Sequence, residues 1–148
     1  MRLEVTRKSD LAVRVLQVLA ERGERVKGPE LAGAVGSTPG FVAQVVTPLV
    51  RQEWVRSDPG PSGGYALAVV LDEVSVLQVI EAIEGPTDTG RCVLVDRPCN
   101  EQGTCALHSS WAGARAHLLR ELDETSVAAV PVRSPNQEPG RRARPTRS

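Results

Sequence analysis

Aromatic residues make up only 3% of this 148-residue sequence, and its formal net charge at pH 7 is zero. The first scarcity forces an aliphatic core of Leu, Val, Ile and Ala, which suits amphipathic helices packed on one another. The second removes the global positive charge that would by itself point to nucleic acid, so any DNA contact must come from a local patch. No run of about 18 apolar residues occurs, which excludes a transmembrane helix. The opening stretch, MRLEVTRKSDLAVRVL, scatters charges among apolar positions and lacks the uninterrupted apolar segment of a secretory signal. A cytoplasmic protein is expected. There are only three cysteines, which cannot all pair within one chain, and a reducing compartment disfavours disulfides. Metal binding or redox chemistry is the better reading of them. A nucleophile–base pair, a phosphate loop and a carboxylate pair in a recognisable frame are also missing, so an enzyme is not expected.

What charge there is lies unevenly. Residues 132–148 hold five arginines (Arg133, Arg141, Arg142, Arg144, Arg147) against Glu138, which leaves the rest of the chain at −4. This Pro-, Arg- and Ser-rich tail, 131–148, is expected to be disordered; it could touch phosphate, but a solvated tail is the simpler expectation.

The apolar residues that are present follow helical periods. Ser9 or Asp10 can cap a first helix reaching Arg22, with Leu11, Val15, Val18 and Arg22 on one stripe, widened by Leu16 and Leu19. Gly23 stops it. Pro29–Val35 fits a short second helix with proline in its first turn. After Gly36, Ser37 or Thr38 can cap a third helix that opens at Pro39 and carries Phe41, Val45, Leu49 and Trp54. Pro48 inside it removes a hydrogen bond and costs roughly 3 kcal/mol in a straight helix, so a kink or an early end is expected there. Helix, glycine turn, helix is the sequence shape of a helix-turn-helix. The next stretch, VRSDPGPSGGYALAVV, has two strand-like ends around a Pro/Gly/Ser loop, which reads as a hairpin or as the wing of a winged helix. A fourth helix fits Glu73–Glu84, with Val76, Val79, Ile80 and Ile83 on one stripe. A long fifth helix carries Leu107, Trp111, Ala114, Leu118 and Leu122.

Between those two helices, residues 87–105 lose all periodicity and contain every cysteine: Cys92, Cys99 and Cys105, with His108 three positions beyond the last. Such a loop needs something to order it. Thiolates are soft ligands that suit iron–sulfur clusters or zinc. The C-x₂₋₄-C knuckle usual for structural zinc is absent. A thiol switch would need only two cysteines. On spacing alone the cluster, zinc and thiol readings stay open.

Taken together, the segments MRL…KSDLAVRVLQVLA, GPELAGAVGSTPGFVAQVVTPLVRQEWVRS, GGYALA, SVLQVIEAIEG and C-x₆-C-x₅-C-x₂-H resemble, in order and spacing, the Rrf-two family of bacterial transcription regulators, from Met1 to about Val130. The resemblance implies a mainly α fold with a small β-wing: a winged helix-turn-helix over 1–70, a connecting helix over 71–86, a cluster-binding cysteine loop over 87–105 and a dimerisation helix over 106–130. It implies a homodimer that binds a pseudo-palindromic operator in double-stranded DNA and senses redox state, nitric oxide or iron–sulfur status through an iron–sulfur cluster. Cys92, Cys99 and Cys105 match the cysteine ligands. His108 matches the histidine ligand of IscR-like members, which goes with a two-iron cluster. Asp10 matches a carboxylate that NsrR-like members donate from the other subunit, which goes with a four-iron cluster.

DNA contacts are expected from Ser37, Thr38, Phe41 and Gln44 at the start of the third helix, with Phe41 equally able to serve the core. Arg51 and Arg56 are phosphate candidates. Gly63 and Gly64 would let the wing backbone approach the minor groove, and Tyr65 would anchor the wing. The chain departs from the family's pattern in three respects. Ala43 replaces a recognition-helix glutamate of IscR-like members, the wing tip Ser57–Ser62 has no arginine and contains Asp58, and the gap from Cys92 to Cys99 is one residue longer than usual. A cluster-free thiol- or ligand-responsive regulator of the same family, or a zinc-stabilised winged-helix module that binds protein, would share most of these features.

Overall fold

The computed structural model describes residues 4–87, 90–94, 98 and 105–133. Cys99 and the basic tail beyond Arg133 lie outside the described residues. Five helices and one hairpin follow in order: α1 (Arg7–Arg22), α2 (Gly28–Val35), α3 (Pro39–Arg51), β1 (Val55–Asp58), β2 (Gly64–Leu67), α4 (Val76–Glu84) and α5 (His108–Glu124). Short 3₁₀ turns at Leu71–Glu73 and Val127–Ala129 flank α4 and α5.

α1 is the central element. Leu11, Ala12, Val15, Leu16 and Leu19 are buried along its inner face. Each large side chain among them contributes roughly 1.5–3 kcal/mol by leaving water. The cap differs from the expected one: Thr6, not Ser9 or Asp10, accepts the Ser9 backbone N–H, so the helix starts earlier. Gly23, at φ 65°, then ends it in the left-handed conformation, as expected.

α2 and α3 pack on α1 and complete the three-helix head. Thr38 Oγ accepts the Phe41 backbone N–H at 3.3 Å, the cap expected for α3. Pro48 does not end α3, which runs on to Arg51. Val45, Val46 and Leu49 are buried on both sides of the proline. Their burial outweighs the one hydrogen bond the proline forfeits. Trp54 falls beyond the helix, packed against the core.

β1 and β2 pair antiparallel in the register Val55 to Leu67, Arg56 to Ala66, Ser57 to Tyr65 and Asp58 to Gly64. A third line of backbone joins them, because Val26 and Tyr65 exchange two hydrogen bonds of 2.8 Å. The wing is therefore tied to the loop between α1 and α2.

α4 starts three residues later than the periodicity indicates. Its boundary is a capping box in which Ser75 Oγ accepts the Gln78 N–H while Gln78 Oε1 accepts the Ser75 N–H. α5 packs on α4, and Ser75 Oγ donates to Asp123 Oδ1 at 3.1 Å. The segment after α5 returns to α1: the buried Gln17 amide donates to the Val130 carbonyl at 2.8 Å, and Val127 enters the core. No described helix is long and apolar enough to cross a membrane.

Candidate DNA-binding head and cysteine cleft

The face of α3 turned away from Val42, Val45, Val46 and Leu49 is exposed, and it presents Ala43, Gln44, Thr47 and Arg51. Gln44 and Arg51 stand seven residues apart, two helical turns on one stripe. Thr38 is exposed at the N-terminal end of that face, with its oxygen occupied by the cap bond, and Ser37 is half-buried beside it. Phe41 is half-buried and packs on the hydrophobic core. Its reading as a core residue is thereby favoured over base contact. Thr47, exposed on the same face, gives its hydroxyl proton to the Ala43 carbonyl.

In the wing, Arg56 is exposed on β1. Both tip glycines have reasons internal to the fold. A Cβ at Gly63 would lie 2.1 Å from the Asp58 carbonyl oxygen, and one at Gly64 would lie 2.5 Å from that of Val26. Gly64 also sits at φ 145°, a conformation open in practice to glycine alone. Tyr65 anchors the wing through its backbone bonds to Val26, and its ring lies alongside Gly28.

One residue outside the sequence expectations reaches this surface. Arg25, in the loop after α1, places a guanidinium nitrogen 2.6 Å from Asp58 Oδ2 and donates to the Ser62 carbonyl at 3.3 Å. Only the pairing of Val26 with Tyr65 brings it there, and local periodicity carries no sign of that.

The second site lies where the cysteine segment meets α5. A cleft of about 330 Å³ is lined by Cys92, Cys105, His108 and Trp111, with Arg91 and Arg115 at its sides. Both cysteines are half-buried. The Leu94 backbone N–H donates to Cys92 Sγ at 3.4 Å, and Arg91 pairs with Pro98 in an isolated antiparallel bridge. His108 is the first residue of α5, and with Trp111 and Arg115 it puts one side of that helix along the cleft. Two thiols, an imidazole and two arginines thus line one cleft, a mix of soft donors and positive charge. Among the described residues, no three His, Cys, Asp or Glu side chains stand close enough together to hold a metal ion. Asp10 is half-exposed on α1, 4.0 Å from Arg14 and 3.7 Å from Arg133.

The connection between the two sites is short. α4 ends one residue before Gly85, just ahead of the cysteine segment, and its last residue, Glu84, accepts hydrogen bonds from Thr6 Oγ (2.6 Å) and from Ser9 Oγ at the start of α1.

A three-helix head with an exposed third helix followed by a hairpin is the architecture of a winged-helix DNA-binding regulator. The chain belongs to the Rrf2 family, described as "Iron-dependent Transcriptional regulator", which matches residues 5–131. An HTH-type transcriptional regulator of Mycobacterium tuberculosis is 36% identical over 131 residues, covering 86% of this chain and 81% of that protein. Among solved structures, CymR, the global cysteine regulator of B. subtilis, superposes with a TM-score of 0.70 at 22% identity, covering 86% of this chain and 95% of that one. IscR of T. potens gives a TM-score of 0.67 at 22% identity, covering 86% and 85%.

Proposed function

We propose that this Rrf2-family regulator acts as a homodimer that binds a pseudo-palindromic DNA operator and changes its affinity according to the state of an iron–sulfur cluster held by Cys92, Cys99 and Cys105. The observation that carries the reading is the cleft itself, which Cys92, Cys105 and His108 all line. The donor set fits: soft sulfur ligands, an imidazole and nearby positive charge suit an anionic iron–sulfur centre. When bound, such a cluster supplies reversible one-electron chemistry and a site for nitric oxide. The family's description as iron-dependent supports the same metal.

His108 is the favoured fourth ligand, because it lines the cleft with two of the cysteines. Asp10 of the partner subunit would first have to give up its contacts with Arg14 and Arg133. Trp111 and Arg115 wall the cleft on the α5 side.

On the DNA side, α3 enters a major groove with Gln44 offered to base edges, where its amide can bond adenine bidentately. Arg51, Arg56, Ser37 and Thr38 contact phosphates. The dimer forms through α5. None of its residues is buried within one subunit, and Leu118 is 45% exposed, so a second copy of the helix has apolar surface to cover. Two heads on a twofold axis then require a two-half-site operator.

Signal reaches the head through α4. Glu84 links the end of α4, beside the cysteine segment, to Thr6 and Ser9 at the start of α1. A change in the order of that segment can shift DNA affinity only through a different placement of the two heads. The test is a set of gel shifts on genomic fragments with the anaerobically purified holo-protein and with the apo-protein. At least one fragment should bind the two forms with different affinity. Equal affinity for every fragment in both forms would rule out the switch.

A further inference from the structure

The tip of the wing, from Asp58 to Ser62, carries a single formal charge, and it is negative. A hairpin offered to phosphate with that charge alone is repelled. Arg25 changes the balance. The Val26–Tyr65 backbone pair sets the loop after α1 beside β2 as a third line of the sheet. Val26 faces the core, so Arg25 and Lys27 fall on the opposite face, which the register shares with Arg56 and Asp58. Gly64 leaves the path open: a Cβ there would sit 3.0 Å from Arg25 Cγ. The Arg25 side chain crosses β2 at that point and ends against Asp58 and the Ser62 carbonyl.

We propose that Arg25 is the wing's phosphate-contacting cation, carried to the tip from the α1–α2 loop and oriented there by Asp58 and Ser62; the proposal rests on the DNA-binding reading above. A guanidinium has five N–H donors in a rigid fork. One donates to the Ser62 carbonyl, Asp58 Oδ2 lies against the guanidinium as a charge partner, and donors remain for a phosphate. The side chain is 47% exposed, so it is open to a ligand. Asp58, 36% exposed with its Oδ2 covered by Arg25, is the orienting partner rather than a competitor, since a half-exposed ion pair is weak enough to share its cation. Arg56 and Lys27, both exposed, stand on the same face and leave three cations against one carboxylate. Glycine at 64 therefore has a second use: any side chain there would block the arginine's route to the tip.

The experiment measures binding of the full-length protein to a fluorescently labelled mixed-sequence duplex across a range of salt concentrations. The variants are Arg25→Ala and Asp58→Ala, and the thermal melt of each is recorded. The slope of log affinity against log salt is about −0.9 for each phosphate contact. Arg25→Ala should flatten the slope by about 0.9 and weaken binding several-fold. Asp58→Ala should keep the wild-type slope, because the cation remains. A slope unchanged by Arg25→Ala overturns the proposal, as does equal weakening by both variants with no change in slope, which would make the pair a brace of the wing. If the wild-type protein binds no duplex at all, the DNA-binding reading fails and Arg25 fails with it. A wild type that binds while Arg25→Ala leaves the slope intact sinks the arginine alone.

Discussion

Adding one methyl group at Gly64 tests how the wing is held. A Cβ there would stand 2.5 Å from the Val26 carbonyl oxygen, a backbone atom that cannot rotate away. Alanine must also adopt φ 145°, which costs on the order of 1–3 kcal/mol. Relieving the overlap means separating Val26 from Tyr65, whose two hydrogen bonds contribute roughly 0.5–1.5 kcal/mol each. Together these give a loss of about 2–6 kcal/mol. Gly60 supplies the control, since it too has positive φ but meets nothing within 4 Å of its added Cβ. Gly60→Ala should therefore cost only the backbone strain, roughly 1–2 kcal/mol. At about 2–4 °C per kcal/mol for a chain of this size, Gly64→Ala should lower Tm by about 4–24 °C, and Gly60→Ala by about 2–8 °C. Both are read by circular-dichroism melts at one fixed protein concentration, because a dimer's Tm depends on it. Equal shifts for the two variants would refute the claim that the wing is pinned to the α1–α2 loop through Gly64.

The other predictions concern the cap of α4 and the reading head. Ser75→Ala removes the α4 cap and the bond to Asp123, so stability should fall by about 0.5–2 kcal/mol, and amide exchange near the end of α5 should quicken; unchanged exchange there would show that the Ser75–Asp123 bond does not hold the two helices together. Gln44→Ala, at an exposed position, should leave the melt unchanged and cost roughly 1–3 kcal/mol of discrimination at one adenine of each half-site, read from binding to single-base operator variants. An unaltered preference at every base would remove Gln44 from the reading face.

Most of the head was legible from the residues. Proline and glycine punctuate its helices, and Thr38 caps α3 where the sequence allowed it. The misses have physical causes. Arg7 and Lys8 in the first turn of α1 oppose the helix dipole, which makes a later start look better, yet Thr6 supplies the cap and Leu11 onward supply the burial. Pro48 reads as a breaker because local rules count one lost hydrogen bond and cannot count the tertiary burial of Val45, Val46 and Leu49. The start of α4 was in fact written in the sequence as Ser75-x-x-Gln78, a capping box that the apolar stripe overshadowed. Arg25 could not be found locally, since its approach to Asp58 depends on a strand pairing between residues 39 positions apart in the chain. The cysteine spacing left the cluster, zinc and thiol readings open; Cys92, Cys105 and His108 line one cleft at α5 without closing to metal-binding distance, and Cys99 lies outside the described residues.

The most direct test of the central claim is the visible spectrum of the protein purified without oxygen, with iron and acid-labile sulfide counted per chain. A cluster on these cysteines gives a brown protein with absorption beyond the aromatic region, with about two irons and two sulfides per chain if His108 is the fourth ligand and about four of each if Asp10 of the partner subunit takes that place. A colourless protein that stays colourless after cluster reconstitution, whether zinc-loaded or metal-free, would contradict it.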